Sequence, residues 1–174
     1  MRLLLSCLVV GFVLSGCSSS EDAPPAPRPP ADEPALAEGL AAMYAGDNPD
    51  PDDLTEGECF ADALLSSTSP EVLREGGLVD ASYVVVTEIT TLAEGLAGDV
   101  ADVQLVCTDF IEDSTAAQVS ITKGSLDAAT YIACLRGELD DAAIRASVVA
   151  SLMGEWEDPA LVRLSEAQAT CADQ

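Results

Sequence analysis

Four cysteines, Cys59, Cys107, Cys134 and Cys171, are spread through the second part of a 174-residue chain, each on an apolar stripe of helical spacing. In an exported protein an even number of cysteines reads as a disulfide framework. A Cys₄ zinc site is the weaker reading, because no two of them have the close CxxC spacing such sites use. Cross-links matter here because the apolar content is misleading. Hydrophobic residues make up 48% of the chain but aromatics only 4%, and much of the remainder is alanine. Small side chains bury little area each, so a core built from them is modest.

The periodicity around the cysteines is helical. Ala35–Ala45 places Leu36, Leu40 and Met43 or Tyr44 on one face. Thr55–Ser66 aligns Cys59, Phe60, Ala63 and Leu64. Ser69-Pro70-Glu71 is an N-cap followed by proline at the first helical position, and Gly76-Gly77 ends that short helix. Tyr83-Val84-Val85-Val86 has strand propensity, yet Val85, Ile89, Leu92, Ala93 and Leu96 continue at helical spacing and predict one helix over Ser82–Ala97. Asp99 then caps a helix with Val100, Val103, Cys107 and Phe110 in a stripe. Ser125 caps a helix with Tyr131, Cys134, Leu135 and Leu139. Asp140 or Asp141 caps one carrying Ile144, Val148 and Leu152. Asp158-Pro159 opens the last, with Leu161, Leu164, Ala167 and Cys171. The expected fold class is therefore all-α: a small, multi-helix, disulfide-stapled domain.

A weak repeat suggests two duplicated helical halves, 55–111 and 125–174. Cys59 and Cys134 each follow a threonine by four positions (Thr55, Thr130) and precede a leucine by five (Leu64, Leu139). Cys107 and Cys171 each have apolar residues seven and four positions before and an aspartate two after (Asp109, Asp173). Four cysteines allow three connectivities, and the repeat favours pairing within halves: Cys59–Cys107 and Cys134–Cys171. The pattern loosely resembles small, uncharacterised Cys-paired helical proteins secreted by actinobacteria, a resemblance that implies no activity.

The N-terminus is organised differently. Arg2 precedes an apolar run, Leu3–Leu14, that ends in Leu14-Ser15-Gly16-Cys17. The run is shorter than the ~20 residues a spanning helix needs and has the layout of a secretory signal. Residues 1–17 resemble the signal and lipobox of bacterial lipoproteins. That resemblance implies diacylglyceryl transfer to the Cys17 thiol, cleavage between Gly16 and Cys17, and often N-acylation of Cys17. Without a twin-arginine pair, the general secretory route is expected. Ser18–Pro34 follows as a linker with six prolines, at 24, 25, 27, 29, 30 and 34. The expected organisation is a signal peptide over 1–16, a Pro-rich linker over 17–34, and a helical domain over 35–174.

Loss of residues 1–16 removes Arg2 and no acid. Six basic residues then face 31 acidic ones, a formal net charge of −25. Nucleic acid is excluded as a partner, since phosphate binding needs clustered Lys or Arg. Docking of the domain on anionic lipid is opposed for the same reason. The acid run Asp47-Asn48-Pro49-Asp50-Pro51-Asp52-Asp53 is not an EF-hand: Pro49 and Pro51 fall on ligand positions and Asp52 stands where the loop needs glycine. An exposed loop is expected there instead.

The chain has no histidine, which removes Ser-His-Asp and Cys-His catalysis and His-based zinc chemistry. It carries no phosphate-binding glycine loop, and no cofactor, metal site or catalytic residue is expected. Carboxylate pairs such as Glu88 with Glu94, or Glu155 with Glu157, carry no local signature and read as solvated faces. Trp156, the lone tryptophan, reads as a hydrophobic anchor near a helix junction. The functional expectation is a lipid-anchored lipoprotein on the outer side of the bacterial cytoplasmic membrane. It would be a non-enzymatic binding or scaffold module with an envelope protein as partner. The alternatives are an acidic capture module for divalent cations or basic ligands, and a hydrolase using a carboxylate pair.

Overall fold

The computed structural model describes residues 32–86 and 91–174, so Cys17, most of the linker and Glu88 lie outside the described residues. The described chain is all-helical: α1 (Glu33–Ala45), α2 (Pro51–Ser67), α3 (Pro70–Glu75), α4 (Glu94–Cys107), α5 (Phe110–Ile121), α6 (Ala128–Glu138), α7 (Asp141–Met153) and α8 (Pro159–Ala172). No described helix is long and apolar enough to cross a membrane.

Seven of the eight helices start at a side chain that accepts a backbone N–H: Asp32, Asp50, Ser69, Asp109, Asp127, Asp140 and Asp158. Six of the chain's 31 acids are thus spent on satisfying orphan N–H groups and the positive end of the helix dipole. Asp50 is the clearest case. Its Oδ1 accepts from Asp52 at 2.8 Å and Asp53 at 3.1 Å, while Asp53 Oδ2 accepts from the Asp50 N–H at 2.8 Å, closing a capping box. Of the acid run expected as a loop, Asp47–Pro49 lies outside the helices, whereas Asp50–Asp53 forms the cap and first turn of α2. Proline at Pro51 fits because its missing N–H would be unpaired there.

Two apolar clusters form the interior. The first gathers Leu36 and Leu40 of α1, Phe60 and Leu64 of α2, Leu73 of α3, and Leu96 and Val100 of α4. α1 and α2 can approach closely because Gly57 lacks a side chain; a Cβ there would stand 2.5 Å from the Ala41 carbonyl oxygen. The second cluster gathers Ile111, Tyr131, Leu135, Leu139, Ile144, Ala167 and Cys171. One disulfide staples each cluster. Cys59–Cys107 joins α2 to α4, and Cys134–Cys171 joins α6 to α8, the connectivity favoured by the repeat.

The clusters are not separated where the halves were drawn. α7 serves both: Ile144 lies in the second, while Val149, Leu152 and Met153 pack on the first. A bidentate ion pair reinforces the α4–α7 contact, with Arg145 Nε and Nη2 donating to the Asp102 carboxylate, the latter at 2.9 Å. α5, absent from the sequence reading, fills the stretch between the two expected halves.

Three helix boundaries also differ. The helix expected over Ser82–Ala97 does not form in its first part, and α4 starts only at Glu94. Asp80 Oδ1 captures the N–H groups of Ser82 at 2.7 Å and Val84 at 2.9 Å, which bends the chain away from helix. Tyr83 takes φ 62° and Val85 makes an isolated antiparallel bridge to Val79. Asp99 is consequently interior to α4 rather than its cap. Asp127, not Ser125, caps α6, and α1 starts at the Asp32 cap, inside the expected linker.

Candidate functional site

Three surface features carry polar or apolar groups that a ligand could use. The first is an acidic face where carboxylates from the early turns of α2 and α5 lie within range of one another's charge. Burial, followed by the charges of Asp113, Asp53, Asp52 and Asp50, pushes the Glu56 carboxyl above the usual carboxylate range. Asp113 is raised by desolvation and then by Asp109, Glu112 and Asp53. Burial likewise raises the Tyr44 phenol, with Glu56 and Asp113 adding to it. The carboxylates repel one another without converging: among the described residues no three Asp, Glu, Cys or His side chains are placed to hold a metal ion.

This face has a predictable pH response. Glu56 and Asp113 hold protons more tightly folded than unfolded, so their contribution to stability falls as pH rises through the carboxylate range. Asp102, lowered by the Arg145 hydrogen bonds, acts oppositely and loses its contribution as pH falls through its folded pKa. Between neutrality and about pH 5, where ordinary carboxyls remain ionised, groups held above the usual range are the first to take up protons. The melting temperature is expected to rise on acidification over that interval. The Glu56→Gln/Asp113→Asn variant should melt higher at pH 7 and lose most of this dependence. A melting temperature that falls steadily from pH 7 to 5 in both proteins contradicts the account.

The second feature is a groove of about 550 Å³ lined by Leu105, Phe110, Ile111, Leu139 and Ile144 together with Arg136, Asp109 and Asp141. Here carboxylates meet apolar walls, the setting a carboxylate-pair hydrolase needs. Asp109 is already committed, however. Its Oδ1 accepts from Ile111 and Glu112, both at 3.1 Å, and its Oδ2 from Arg136 at 3.1 Å. Such a carboxylate holds a helix end and an arginine, with both of its oxygens already accepting hydrogen bonds. The second feature has a counterpart elsewhere, a groove of about 540 Å³ between α1 and the 82–86 turn, past Ala35, Gly39, Met43 and Val85.

The third feature is the α7–α8 turn. Gly154 takes φ 72° and closes α7, and Glu155 N–H returns to the Ala150 carbonyl at 2.9 Å. Asp158 N–H donates to the Glu155 carbonyl at 2.9 Å, and Asp158 Oδ1 accepts from Ala160 at 2.7 Å. At the tip of this turn Trp156 is 70% exposed. The expected hydrophobic anchor is thus absent from the core. Sequence position alone could not show this, since a helix junction leaves room for a tryptophan to face either the core or solvent. Glu155 and Glu157 flank it, both exposed. Glu94, the describable member of the other carboxylate pair, sits exposed in the first turn of α4.

The cysteines Cys59, Cys107, Cys134 and Cys171 are all oxidised. Compared with known proteins, the chain matches no family model, no curated protein and no solved structure.

Proposed function

We propose that this protein is a lipid-anchored, extracytoplasmic binding or scaffold module of the bacterial cell envelope, tethered at Cys17 through a Pro-rich stalk and without enzymatic activity. The observation that carries the reading is the pair of disulfides, one per apolar cluster, in a domain whose core is mostly leucine and alanine. Such staples persist in oxidising compartments outside the cytoplasm. The lipobox-like Leu14-Ser15-Gly16-Cys17 supports the tether. Two acyl chains would hold the protein stably, because each buried CH₂ contributes about 0.8 kcal/mol. The expected partner is an envelope protein or a basic ligand.

The test is mass spectrometry and membrane fractionation of the chain and of Cys17→Ser. The native chain should begin at Cys17, carry lipid and sediment with membranes. The variant should accumulate as an unlipidated precursor. A lipid-bearing, membrane-bound Cys17→Ser product rules the tether out. Acidic capture of basic ligands is a second reading, favoured by the unrelieved repulsion around Glu56 and Asp113.

A further inference from the structure

We propose that the α7–α8 turn is a recognition site for a cationic, arginine-bearing polypeptide segment, with Trp156 as its stacking surface and Glu155 and Glu157 as its ion-pairing groups. The inference deepens the binding-module reading and rests on it. Three observations lead to it.

Trp156 is the chain's single tryptophan, and it is 70% exposed while Phe60 and Tyr131 are each 1% exposed. Exposing the largest side chain forgoes a large burial, and tryptophan is the residue most often found at the energetic centre of interfaces. Next, the turn is stiff. The Glu155–Ala150 and Asp158–Glu155 backbone bonds, the Asp158 cap and Pro159 at the start of α8 all restrain it. Leu92 N–H donates to the Leu152 carbonyl at 2.8 Å just before the turn, tying the end of α7 to the segment leading into α4. A binding group held this way loses little further freedom on association.

The surroundings then select the partner. Asp158 is occupied as a cap, but among the described residues neither Glu155 nor Glu157 has an ion-pair partner; the paired arginines lie at Glu75, Asp109, Glu112 and Asp102. An apolar partner seated on Trp156 would strip water from two unpaired carboxylates beside it, which is costly. A lipid surface would impose the same desolvation. A guanidinium avoids it, because it stacks on the indole face while its N–H fork meets a carboxylate. The overall charge of −24 steers such a cation towards the molecule.

The lone tryptophan makes the test direct, since emission reports on this site only. The full chain, purified after export in a zwitterionic detergent, is titrated with a hexa-arginine peptide. Trp156 emission should change saturably. By calorimetry, Trp156→Ala and Glu155→Gln/Glu157→Gln should each weaken binding about fivefold or more, the scale of a cation–π or ion-pair contact released from solvent. Glu33→Gln/Glu38→Gln on α1 removes the same charge elsewhere and should change affinity less than twofold. Unchanged melting curves establish that the variants fold. Equal weakening by the α1 variant, or full affinity in Trp156→Ala, overturns the site in favour of diffuse attraction by the acidic surface. A blue shift of Trp156 on phosphatidylcholine vesicles that the peptide cannot reverse overturns it in favour of lipid. Either result leaves the Cys17 tether untouched, and failure of lipidation would leave peptide binding untouched.

Discussion

Replacing Cys59 and Cys107 together by alanine lowers the unfolding free energy by about 4 kcal/mol, and Cys134→Ala/Cys171→Ala lowers it by about the same. The expectation follows from loop closure. The bridges close separations of 48 and 37 residues, and a cross-link removes the corresponding freedom from the unfolded chain. The loops do not overlap along the chain, so the effects add to roughly 8 kcal/mol, a large share of the ~5–15 kcal/mol typical of a whole domain. Residual order in the reduced chain trims the figure. Urea unfolding of both double variants and the quadruple variant measures each contribution. Full reduction should leave little or no cooperative transition at 37 °C. A reduced chain that unfolds within about 1 kcal/mol of the oxidised one would show that packing alone sustains the fold.

Phe60→Ala is expected to cost about 3–5 kcal/mol, the range for truncating a buried aromatic. Phe60 is 1% exposed in the first cluster and stacks on Tyr44 of α1, with ring centroids 4.4 Å apart and planes inclined by 19°. Such a stack contributes about 0.5–1.5 kcal/mol beyond burial. Relaxation into the vacated space is limited, because the neighbouring Cys59 is bonded to Cys107 and Gly57 already brings α2 against the α1 backbone. The effect therefore belongs in the upper part of the range. A shift of the urea midpoint worth less than about 1 kcal/mol would mean that α1 swings in to fill the gap. Phe60→Leu, which keeps most of the volume, should recover more than half of the loss.

Much of the helical architecture was legible in the sequence because its signals are local. Ser69-Pro70, Asp140 and Asp158-Pro159 announce helix starts through the chemistry of orphan N–H groups, which depends on a few consecutive residues. The stripes carrying Cys59, Cys134 and Cys171 likewise needed only the helical period, and the within-half pairing needed only the repeat. Where two local rules competed, the sequence did not decide between them. Apolar spacing argued for a helix from Ser82, but the Asp80 carboxylate took the Ser82 and Val84 N–H groups, and the Tyr83 hydroxyl accepted a hydrogen bond from Arg74 at 2.7 Å. The acid run at Asp50 read as a loop until its own Asp53 closed the box. α5 went unread because its large apolar residues, Phe110 and Ile111 at one end and Val119 and Ile121 at the other, leave the middle turns unmarked.

Tertiary structure alone decided which surfaces face solvent and which charges meet. Nothing in the order of residues brings Asp102 to Arg145, puts Glu56 of α2 within range of the Asp113 charge on α5, or turns Trp156 outward while Tyr131 is enclosed. Helix formation is a free-energy balance over one or two turns, which adjacent residues determine. Exposure and electrostatic environment depend on how those helices pack, a balance summed over contacts between residues far apart in the chain.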